Sequence, residues 1–313
     1  MARSLTGQEL ELDDGPARGR DLLVVDGNNL AHRAFHALPE TIATSWGLPS
    51  NALLGFANVF FKMLVDYRPR GALVAWDRKP AHRLDAAPDY KAGRKPMAPA
   101  LARQFPHFEE IVAAFGYPSV ALDGWEADDI IATVSARAES ADLSTCLVST
   151  DRDAFQLVTE RTCLLMTPRG AGEAQVYTPE RIVRRYGIPA ARIPDFIALK
   201  GDSADNIAAV PGIGEKTAAE LLSRFGSLEA ILASLDRLSP ARRRSLESHA
   251  ASARAARELA TLRRDLPLPP DAEPRVLVAS KPDRSSMRSV FERFELKRLL
   301  TRLDVLDEAI PAR

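Results

Sequence analysis

The sequence predicts an α/β fold with a mostly parallel central sheet and helices on both faces, followed by an α-helical region. Short apolar runs alternate with helical patterns in the first part of the chain, as in a parallel sheet with crossover helices. The first run, 22–25, is continuously apolar and therefore typical of a strand buried on both faces. From about residue 178 helical patterns fill most of the chain, beginning with Thr178 as a cap and Pro179 at the first helical position.

Three of the strand-like runs end in an aspartate. The runs are 22–25, 72–76 and 144–149, and the aspartates that follow them are Asp26, Asp77 and Asp151. Since the carboxyl ends of parallel strands meet at one edge of a sheet, we expect a site there. Each aspartate alone could be a turn residue, because aspartate favours turns. Taken together they predict a pool of carboxylates that binds metal.

A helix with an acidic start follows the second of these strands. Glu126, Asp128 and Asp129 directly precede an apolar helical run, and Glu126 and Asp129 share one helix face at i, i+3 spacing. Like charges this close repel, and the helix dipole offsets only about 1 kcal/mol per charge. A divalent ion with oxygen ligands, Mg²⁺ or Mn²⁺, is the natural partner. The alternative is an acidic cap at the start of the helix.

A basic, proline-rich stretch over 78–106 separates the second strand from the next helix and is predicted to be an exposed excursion. It carries seven basic residues against two acidic ones. If the segment around Lys91 and Arg94 is helical, their i, i+3 spacing makes the two side chains project together. The alternative is a solvated charged loop.

A glycine-rich hairpin between two helices is predicted over 199–224. Gly212 and Gly214 permit a turn with φ > 0 and a close approach of the backbone, and the next helix start offers free amides that can hold a phosphate. Two aspartates, Asp202 and Asp205, precede the hairpin at i, i+3 spacing. The alternative is a plain corner between two helices.

The remaining segments suggest how the chain is divided. We expect a disordered tail over 1–20, an α/β core over 21–177, a helical region over 178–304 and a second tail over 305–313. Residues 267–275 are predicted to form an extended linker, and the apolar pattern over 290–303 predicts a closing helix pair. No secretory signal and no run of about 18 apolar residues is present. Cys146 and Cys163 lie in apolar strand-like runs, so we expect buried free thiols in the cytoplasm.

Charge is distributed unevenly although the net charge is zero. The chain has 42 acidic and 42 basic residues. The basic residues form blocks at 78–103 and 237–264, whereas the acidic residues concentrate in short motifs. A neutral total can therefore hide an acidic metal-binding pocket inside a basic collar, which would suit nucleic acid.

These motifs together resemble the 5′ nuclease family, which includes the 5′–3′ exonuclease domain of bacterial DNA polymerase I and the flap endonucleases. The resemblance covers about 21–304 and rests on five motifs: Val25–Leu30, Tyr90–Arg94, Glu126–Asp129, Thr150–Asp153 and Gly201–Ala218. It implies a PIN-like core with a helix-three-turn-helix motif at 199–224. No polymerase sequence follows, so a stand-alone version is expected.

The resemblance implies two metal centres made by nine carboxylates. The expected ligands of the first are Asp26, Asp77, Glu126, Asp128 and Asp129, and those of the second are Asp151, Asp153, Asp202 and Asp205. Setting these nine aside leaves 33 acidic residues against 42 basic ones, a net charge of +9 that suits DNA.

The resemblance also implies residues that contact DNA. Lys91 and Arg94 would contact the scissile phosphate from an arch, and Arg33 would lie near the cleavage point. The other expected contacts are His32, Tyr90, Gly212, Ile213, Gly214, Lys216 and Thr217. His32 departs from the tyrosine or phenylalanine that the family usually stacks on a base. The hairpin at 210–214 would hold a K⁺ ion through its carbonyls.

The implied function is a metal-dependent, structure-specific 5′–3′ exonuclease and flap endonuclease that removes flaps or RNA primers in replication and repair. Two Mg²⁺ or Mn²⁺ ions would support the hydrolysis. The expected partners are DNA with a 5′ flap, nick or 5′ end, an RNA–DNA hybrid, and a separate polymerase and ligase, with the protein a cytoplasmic monomer that binds no membrane. The alternatives are a PIN-type ribonuclease and a non-catalytic protein that binds branched DNA.

Overall fold

The fold is built on a six-stranded sheet. The computed structural model describes residues 2–10, 12–167, 174–280 and 284–309. Its strands are β1 (Ala2–Arg3), β2 (Glu9–Leu10), β3 (Leu22–Asp26), β4 (Gly71–Trp76), β5 (Ser119–Ala121), β6 (Thr145–Val148), β7 (Thr162–Met166) and β8 (Gln175–Tyr177). The main sheet has the order β5-β4-β3-β6-β7-β8, and β1 pairs with β2 separately. All pairs in the main sheet are parallel except β7 with β8.

Helices cover both faces of this sheet. In the α/β part they are α1 (Gly27–Ala37), α2 (Asn51–Tyr67), α3 (Ala81–Ala86), α4 (Pro99–Gln104), α5 (Phe108–Ala114) and α6 (Ala127–Ser140). The later helices are α7 (Pro179–Tyr186), α8 (Ile193–Lys200), α9 (Glu215–Phe225), α10 (Leu228–Leu232), α11 (Pro240–Ala260), α12 (Pro274–Leu277), α13 (Arg284–Arg293), α14 (Lys297–Leu300) and α15 (Leu303–Ala309). The predicted fold class is confirmed.

Alternate residues of the central strands belong to two separate cores. Leu23 and Val25 of β3 pack with α1, α2, α5 and the C-terminal helices, whereas Leu22 and Val24 pack with α6 and helices of the later region. Successive strand side chains point to opposite faces, so a strand covered on both sides must be apolar throughout. This explains the continuous apolar run over 22–25.

The order of the strands reverses beside β3. The chain runs from β3 outward to β4 and β5, then returns to place β6 on the other side of β3. Such a reversal opens a crevice at the carboxyl ends of the two strands. Asp26 ends β3 and Asp151 follows β6, so the topology brings both to this crevice.

The helical region begins as predicted. Thr178 accepts a hydrogen bond from the N–H of Arg181, Pro179 is the first residue of α7, and Gly187 ends the helix with φ of 71°. Every described element after β8 is helical. The closing helices are confirmed too, since Phe291, Phe294 and Leu299 are buried against the body.

The two terminal segments and the expected linker differ from the predictions. Residues 2–10 and 12–20 are ordered in the structure: β1 pairs with β2, the N–H of Leu5 donates to the carbonyl of Arg185, and Leu10 is buried. The segment is polar overall, but its few apolar side chains pack against the rest of the protein and hold it in place. Composition alone does not show this packing. At the other end α15 continues to Ala309 and buries Leu306; residues 310–313 lie outside the described part.

Residues 267–275 pack against the rest of the protein and do not form the extended linker that was predicted. Ala272 is fully buried, and Glu273 pairs with Arg137 of α6. Prolines stiffen this segment, but they do not prevent its apolar residues from docking. None of the helices in the described residues is long and apolar enough to cross a membrane.

Candidate active site

Asp26 joins the end of β3 to the start of α1. Its Oδ1 accepts a hydrogen bond from the N–H of Asn29 at 2.9 Å, and its Oδ2 accepts one from the hydroxyl of Ser149 at 3.0 Å. The first bond caps α1, and the second ties β3 to the residue that follows β6. The carboxylate is therefore held rigidly at the crevice.

Asp77 and α6 are joined in the same way. The N–H of Asp77 donates to Oδ1 of Asn28 at 2.9 Å, and Oδ1 of Asp77 accepts from the N–H of Ala127 at 2.8 Å. Asp77 thus satisfies a free amide in the first turn of α6, which begins directly after Glu126. These bonds bring the acidic helix start to the same sheet edge as Asp26.

Asp128 has a buried oxygen that lacks a partner. Its Oδ1 is shielded from solvent and has no hydrogen-bond partner among the described residues. Burial raises the pKa of Asp128 well above its usual range, and the charges of Asp151 and Asp26 raise it further. A buried acceptor without a donor is costly unless something else satisfies it.

The other carboxylates at this edge are perturbed in the same direction. Burial and the charge of Asp77 raise the pKa of Asp26 to about 7. Burial also raises the pKa of Asp77, with a further contribution from Glu126, and that of Asp151, with a further contribution from Asp205. We call Asp26, Asp77, Asp128 and Asp151 the carboxylate pool.

The second group of predicted ligands extends from the pool. Oδ1 of Asp151 accepts from the N–H of Asp153 at 3.0 Å, and burial followed by the charge of Asp151 raises the pKa of Asp153. Asp202 accepts from the N–H of Ala204 at 2.8 Å. The charges of Asp202 and Asp205 also raise the pKa of Asp153, so the four residues share one electrostatic environment.

Lys91 and Arg94 project together onto these acids. Lys91 Nζ lies 2.6 Å from Oε1 of Glu126 and 3.4 Å from Oδ2 of Asp205, and Arg94 Nη2 lies 2.8 Å from Oδ1 of Asp205. Residues 88–93 form turns rather than a helix, with φ of 58° at Lys91. The shared direction expected for a helix is therefore produced by a turn. Burial opposes the charge on Lys91, but Glu126 and Asp205 together outweigh it, so the pKa of Lys91 is raised.

Tyr90 differs from the DNA contact that was expected of it. Its ring is buried, and its hydroxyl lies 3.1 Å from Oε2 of Glu126 and 3.0 Å from Oδ2 of Asp205. Both hydrogen-bond partners of the phenol therefore lie inside the protein. Tyr90 instead links a carboxylate of each predicted metal centre.

Asp129, a predicted metal ligand, has protein donors on both of its oxygens. Arg83 Nη1 and Nη2 donate to its two oxygens at 2.6 and 2.8 Å, and the N–H of Arg263 donates to Oδ1 at 2.9 Å. The prediction that Glu126 and Asp129 share a helix face is confirmed, since Nη1 of Arg83 also reaches Oε2 of Glu126 at 2.8 Å. The cation on that face is an arginine.

The donor chemistry of the site suits a hard divalent ion. The pool offers carboxylate oxygens, which Mg²⁺ and Mn²⁺ prefer, and the unpartnered oxygen of Asp128 is an acceptor that such an ion would satisfy. Across the described ranges, no three acidic, histidine or cysteine side chains are grouped closely enough to hold an ion as they stand. Lys91 and Arg94 instead occupy oxygens of Glu126 and Asp205.

A cleft of about 1620 Å³ opens above the pool. His32 and Arg33 of α1 line it together with Lys91 and Arg94. Arg33 donates to the hydroxyl of Thr167 at 2.6 Å. Burial lowers the pKa of the half-buried His32, with smaller contributions from His36 and Arg94, which favours the neutral imidazole.

The predicted hairpin lies between α8 and α9. Gly212 has φ of 79°, as expected, whereas Gly214 is extended and directly precedes α9. Ile213 is buried beneath the turn, and Lys216 is exposed in the first turn of α9, with Thr217 beside it. Free amides and a lysine at a helix start are suited to a phosphate.

Several residues that build this site were not singled out from the sequence. Asn28 and Ser149 hold Asp77 and Asp26, Arg83 holds Glu126 and Asp129, and the hydroxyl of Ser245 donates to the carbonyl of Pro211 in the hairpin at 2.6 Å. Asn28 lies inside the Val25–Leu30 motif, which was a usable signal. Nothing local distinguishes Arg83 or Ser245 from other polar residues.

Comparison with solved structures shows the same fold. The T5 5′-exonuclease, in a structure with bound zinc, matches with a TM-score of 0.64 and 22% identity, over 93% of this chain and 100% of that one. The catalytic core of Rad2, in complex with a DNA substrate, matches with a TM-score of 0.61 and 15% identity, over 97% and 94% of the two chains.

Comparison with sequences gives closer relatives. DNA polymerase I of Bacillus subtilis is 40% identical over 251 residues, which are 80% of this chain and 28% of the polymerase. The thermostable DNA polymerase I of Thermus thermophilus is 38% identical over 296 residues, which are 94% of this chain and 34% of the polymerase. The chain thus spans about a third of the length of such relatives.

Family models match in the same order as the two structural regions. A 5′–3′ exonuclease N-terminal resolvase-like domain matches residues 21–187, and a 5′–3′ exonuclease C-terminal SAM fold matches residues 188–285. The resemblance inferred from the five motifs is confirmed, and the chain belongs to the 5′–3′ exonuclease family.

Proposed function

We propose that this protein is a metal-dependent, structure-specific 5′–3′ exonuclease and flap endonuclease that hydrolyses DNA phosphodiester bonds, with flap and RNA primer removal in replication and repair as its role. The observation that carries the proposal is a pool of buried carboxylates with raised pKa values beneath Lys91 and Arg94, at one cleft. Membership of the 5′–3′ exonuclease family supports it.

Two divalent ions, Mg²⁺ or Mn²⁺, are the proposed cofactors. Asp26, Asp77, Glu126 and Asp128 would hold one, and the residues that would hold the other are Asp151, Asp153, Asp202 and Asp205. The zinc in the T5 5′-exonuclease structure supports a divalent ion in this fold. Such ions supply hydroxide from bound water near neutral pH and neutralise charge on the phosphate oxygens.

The side chains of the protein have separate tasks in this proposal. Lys91 and Arg94 contact the scissile phosphate and stabilise the negative charge that develops on it. Arg33 and His32 line the cleft, where His32 can stack on a base. Tyr90 orients Glu126 and Asp205 from the side away from the cleft.

The hairpin is the proposed grip on duplex DNA. The backbone of Gly212, Ile213 and Gly214, with Lys216 and Thr217, would bind phosphates without reading sequence, and the carbonyls over 210–214 would hold K⁺. The Rad2 core was solved with DNA substrate, which supports DNA as the partner of this fold. We propose substrates with a 5′ flap, nick or 5′ end, RNA–DNA hybrids included.

The proposal also includes a cellular setting. Cys146 and Cys163 are buried free thiols, which suits the cytoplasm. A separate polymerase and ligase would act on the same DNA, and we propose a monomer.

Cleavage of a 5′-labelled flap duplex tests the proposal. With Mn²⁺ or Mg²⁺ we expect cutting near the flap junction by the wild type and none by Asp128→Asn. A single-stranded RNA of the same length is the parallel substrate. Tight flap binding without cutting would identify a non-catalytic DNA-binding protein instead, and cutting of the RNA alone would identify a ribonuclease.

A further inference from the structure

Arg83 is a buried arginine at the root of the excursion over 78–106. It lies in α3 and is only 2% exposed. Its guanidinium donates to both oxygens of Asp129, to Oε2 of Glu126, and through Nε to the carbonyl of Leu259 at 3.1 Å. Arg83 therefore joins the start of α6 to the end of α11 in the helical region.

Asp129 completes this connection from the other side. It is fully buried, and its Oδ1 accepts from the N–H of Arg263 as well as from Arg83. Its oxygens thus have three donors and no open direction toward the cleft. The flat, bidentate contact with Arg83 is also the geometry that fixes a guanidinium most firmly.

The two oxygens of Glu126 have different surroundings. Oε2 is held by Arg83 at 2.8 Å and by the buried hydroxyl of Tyr90 at 3.1 Å. Oε1 contacts Lys91, whose side chain lines the cleft. One oxygen is therefore anchored in the protein interior, and the other faces Lys91, a residue that lines the cleft.

We propose that Arg83 and Asp129 form a positioning pair: Asp129 fixes Arg83, Arg83 fixes Oε2 of Glu126, and Oε1 is thereby presented for metal binding. Asp129 is then not a ligand itself. This inference rests on the proposed metal-dependent function, and it gives the helical region a part in the metal centre through Leu259 and Arg263. Residues outside the direct ligands commonly control metal affinity in this way.

The test is the double variant Arg83→Met/Asp129→Asn. Removing both charges of a buried pair spares the fold the penalty of leaving one of them unpaired, and the asparagine oxygen still accepts from Arg263. We expect a melting temperature close to that of the wild type. Calorimetric titration of the metal-free protein with Mn²⁺ should show a dissociation constant raised by about 10-fold to 100-fold.

A matched pair on the same helix is the control. Arg137 at the far end of α6 pairs with Glu273, so Arg137→Met/Glu273→Gln removes an arginine–carboxylate pair of the same helix that is partly exposed and lies away from the cleft. Its Mn²⁺ affinity should equal that of the wild type. If Arg83→Met/Asp129→Asn does not fold, Arg83→Lys is the alternative variant. It keeps the positive charge but loses the bidentate guanidinium contact, and it should still raise the dissociation constant for Mn²⁺.

Three outcomes would overturn the inference. The first is a folded double variant with unchanged Mn²⁺ affinity. The second is an Asp129→Asn variant that loses one bound Mn²⁺ in the same way as Asp128→Asn, which would make Asp129 a ligand. The third is a wild type that neither binds Mn²⁺ nor cuts DNA. The third would remove the proposed function as well, whereas the first two leave it intact.

Discussion

Two neighbouring regions of the site handle buried negative charge in opposite ways. In the carboxylate pool, acidic groups face one another, their pKa values are raised, and Asp128 has an oxygen without a partner. In what we call the ion-pair cluster, Glu126, Asp129 and Asp205 are matched by Arg83, Lys91 and Arg94. The fold thus neutralises one region internally and leaves the other for a cation from solution.

This difference separates structural from chemical roles. A matched buried ion pair contributes little net stability, but removing one partner strands the other charge. A group of carboxylates without cationic partners destabilises the metal-free fold, and a cation that binds to it stabilises the fold. Substitutions of similar chemistry should therefore have opposite effects on stability in the two regions.

The largest effect is expected in the ion-pair cluster. Arg83→Met leaves Asp129 buried without a cation and should lower the free energy of unfolding by about 3 to 5 kcal/mol. Urea denaturation in EDTA measures this. Arg263→Met removes a solvent-exposed arginine whose side chain pairs with the exposed Asp265, and it should have no comparable effect. Equal stability of the wild type and Arg83→Met would mean that Asp129 carries no uncompensated charge when Arg83 is removed.

The carboxylate pool should respond in the opposite direction. Asp128→Asn removes one of the facing charges, so the metal-free protein should become more stable. Flap cleavage should fall at least about 100-fold, which is more than the loss of a residue that only supports a metal ligand usually costs. Thermal melting in EDTA measures the stability of the metal-free protein, and single-turnover kinetics measure the cleavage rate. Destabilisation of the metal-free fold by this substitution would contradict the contrast between the regions.

The pH dependence of stability sharpens the same contrast. Because the pKa of Asp26 is raised to about 7 in the folded protein, its contribution to stability is full below pH 4 and is lost as pH rises through 7. The loss has a slope of at most about 1.4 kcal/mol per pH unit. In EDTA, the free energy of unfolding of the wild type should fall relative to that of Asp26→Asn between pH 4.5 and 7.5. Parallel profiles of the two proteins would show that Asp26 is not perturbed.

Lys91 lies at the boundary between the two regions, and its removal should have the smallest effect. Lys91→Met frees Oε1 of Glu126, so Mn²⁺ binding to the metal-free protein should tighten by roughly 1 kcal/mol, about fivefold, while cleavage falls. The control is Lys95→Met in the same segment, because Lys95 has no ion pair within the described residues. Weaker Mn²⁺ binding in Lys91→Met would show that Lys91 supports the metal centre rather than competing with it.

Sequence reasoning was most successful where a pattern is local. Continuous apolar runs identified β3, β4 and β6, and the aspartates that follow them lie at one edge as expected. Strand periodicity and parallel pairing make that edge predictable without knowing any contact. The spacing of Glu126 and Asp129 correctly predicted a shared helix face, and the cap at Thr178 correctly predicted the start of α7.

The predictions that failed depended on distant partners. The ordered segments over 2–10 and 12–20 contact distant residues such as Arg185, and the segment over 267–275 contacts α6. Composition reports how polar a segment is, whereas order depends on whether its few apolar residues find a surface. That surface exists only after the chain has folded.

Sequence alone determined the class of fold, the family and the residues from which an acidic site is built. Tertiary structure decided how each acidic residue is used. Asp128 and Asp129 are adjacent, but successive helix positions point about 100° apart. One therefore faces the carboxylate pool, and the other meets Arg83 and Arg263, which lie 46 and 134 residues away along the chain. Partners at such separations leave no local signal, because only the folded topology brings them within hydrogen-bonding distance.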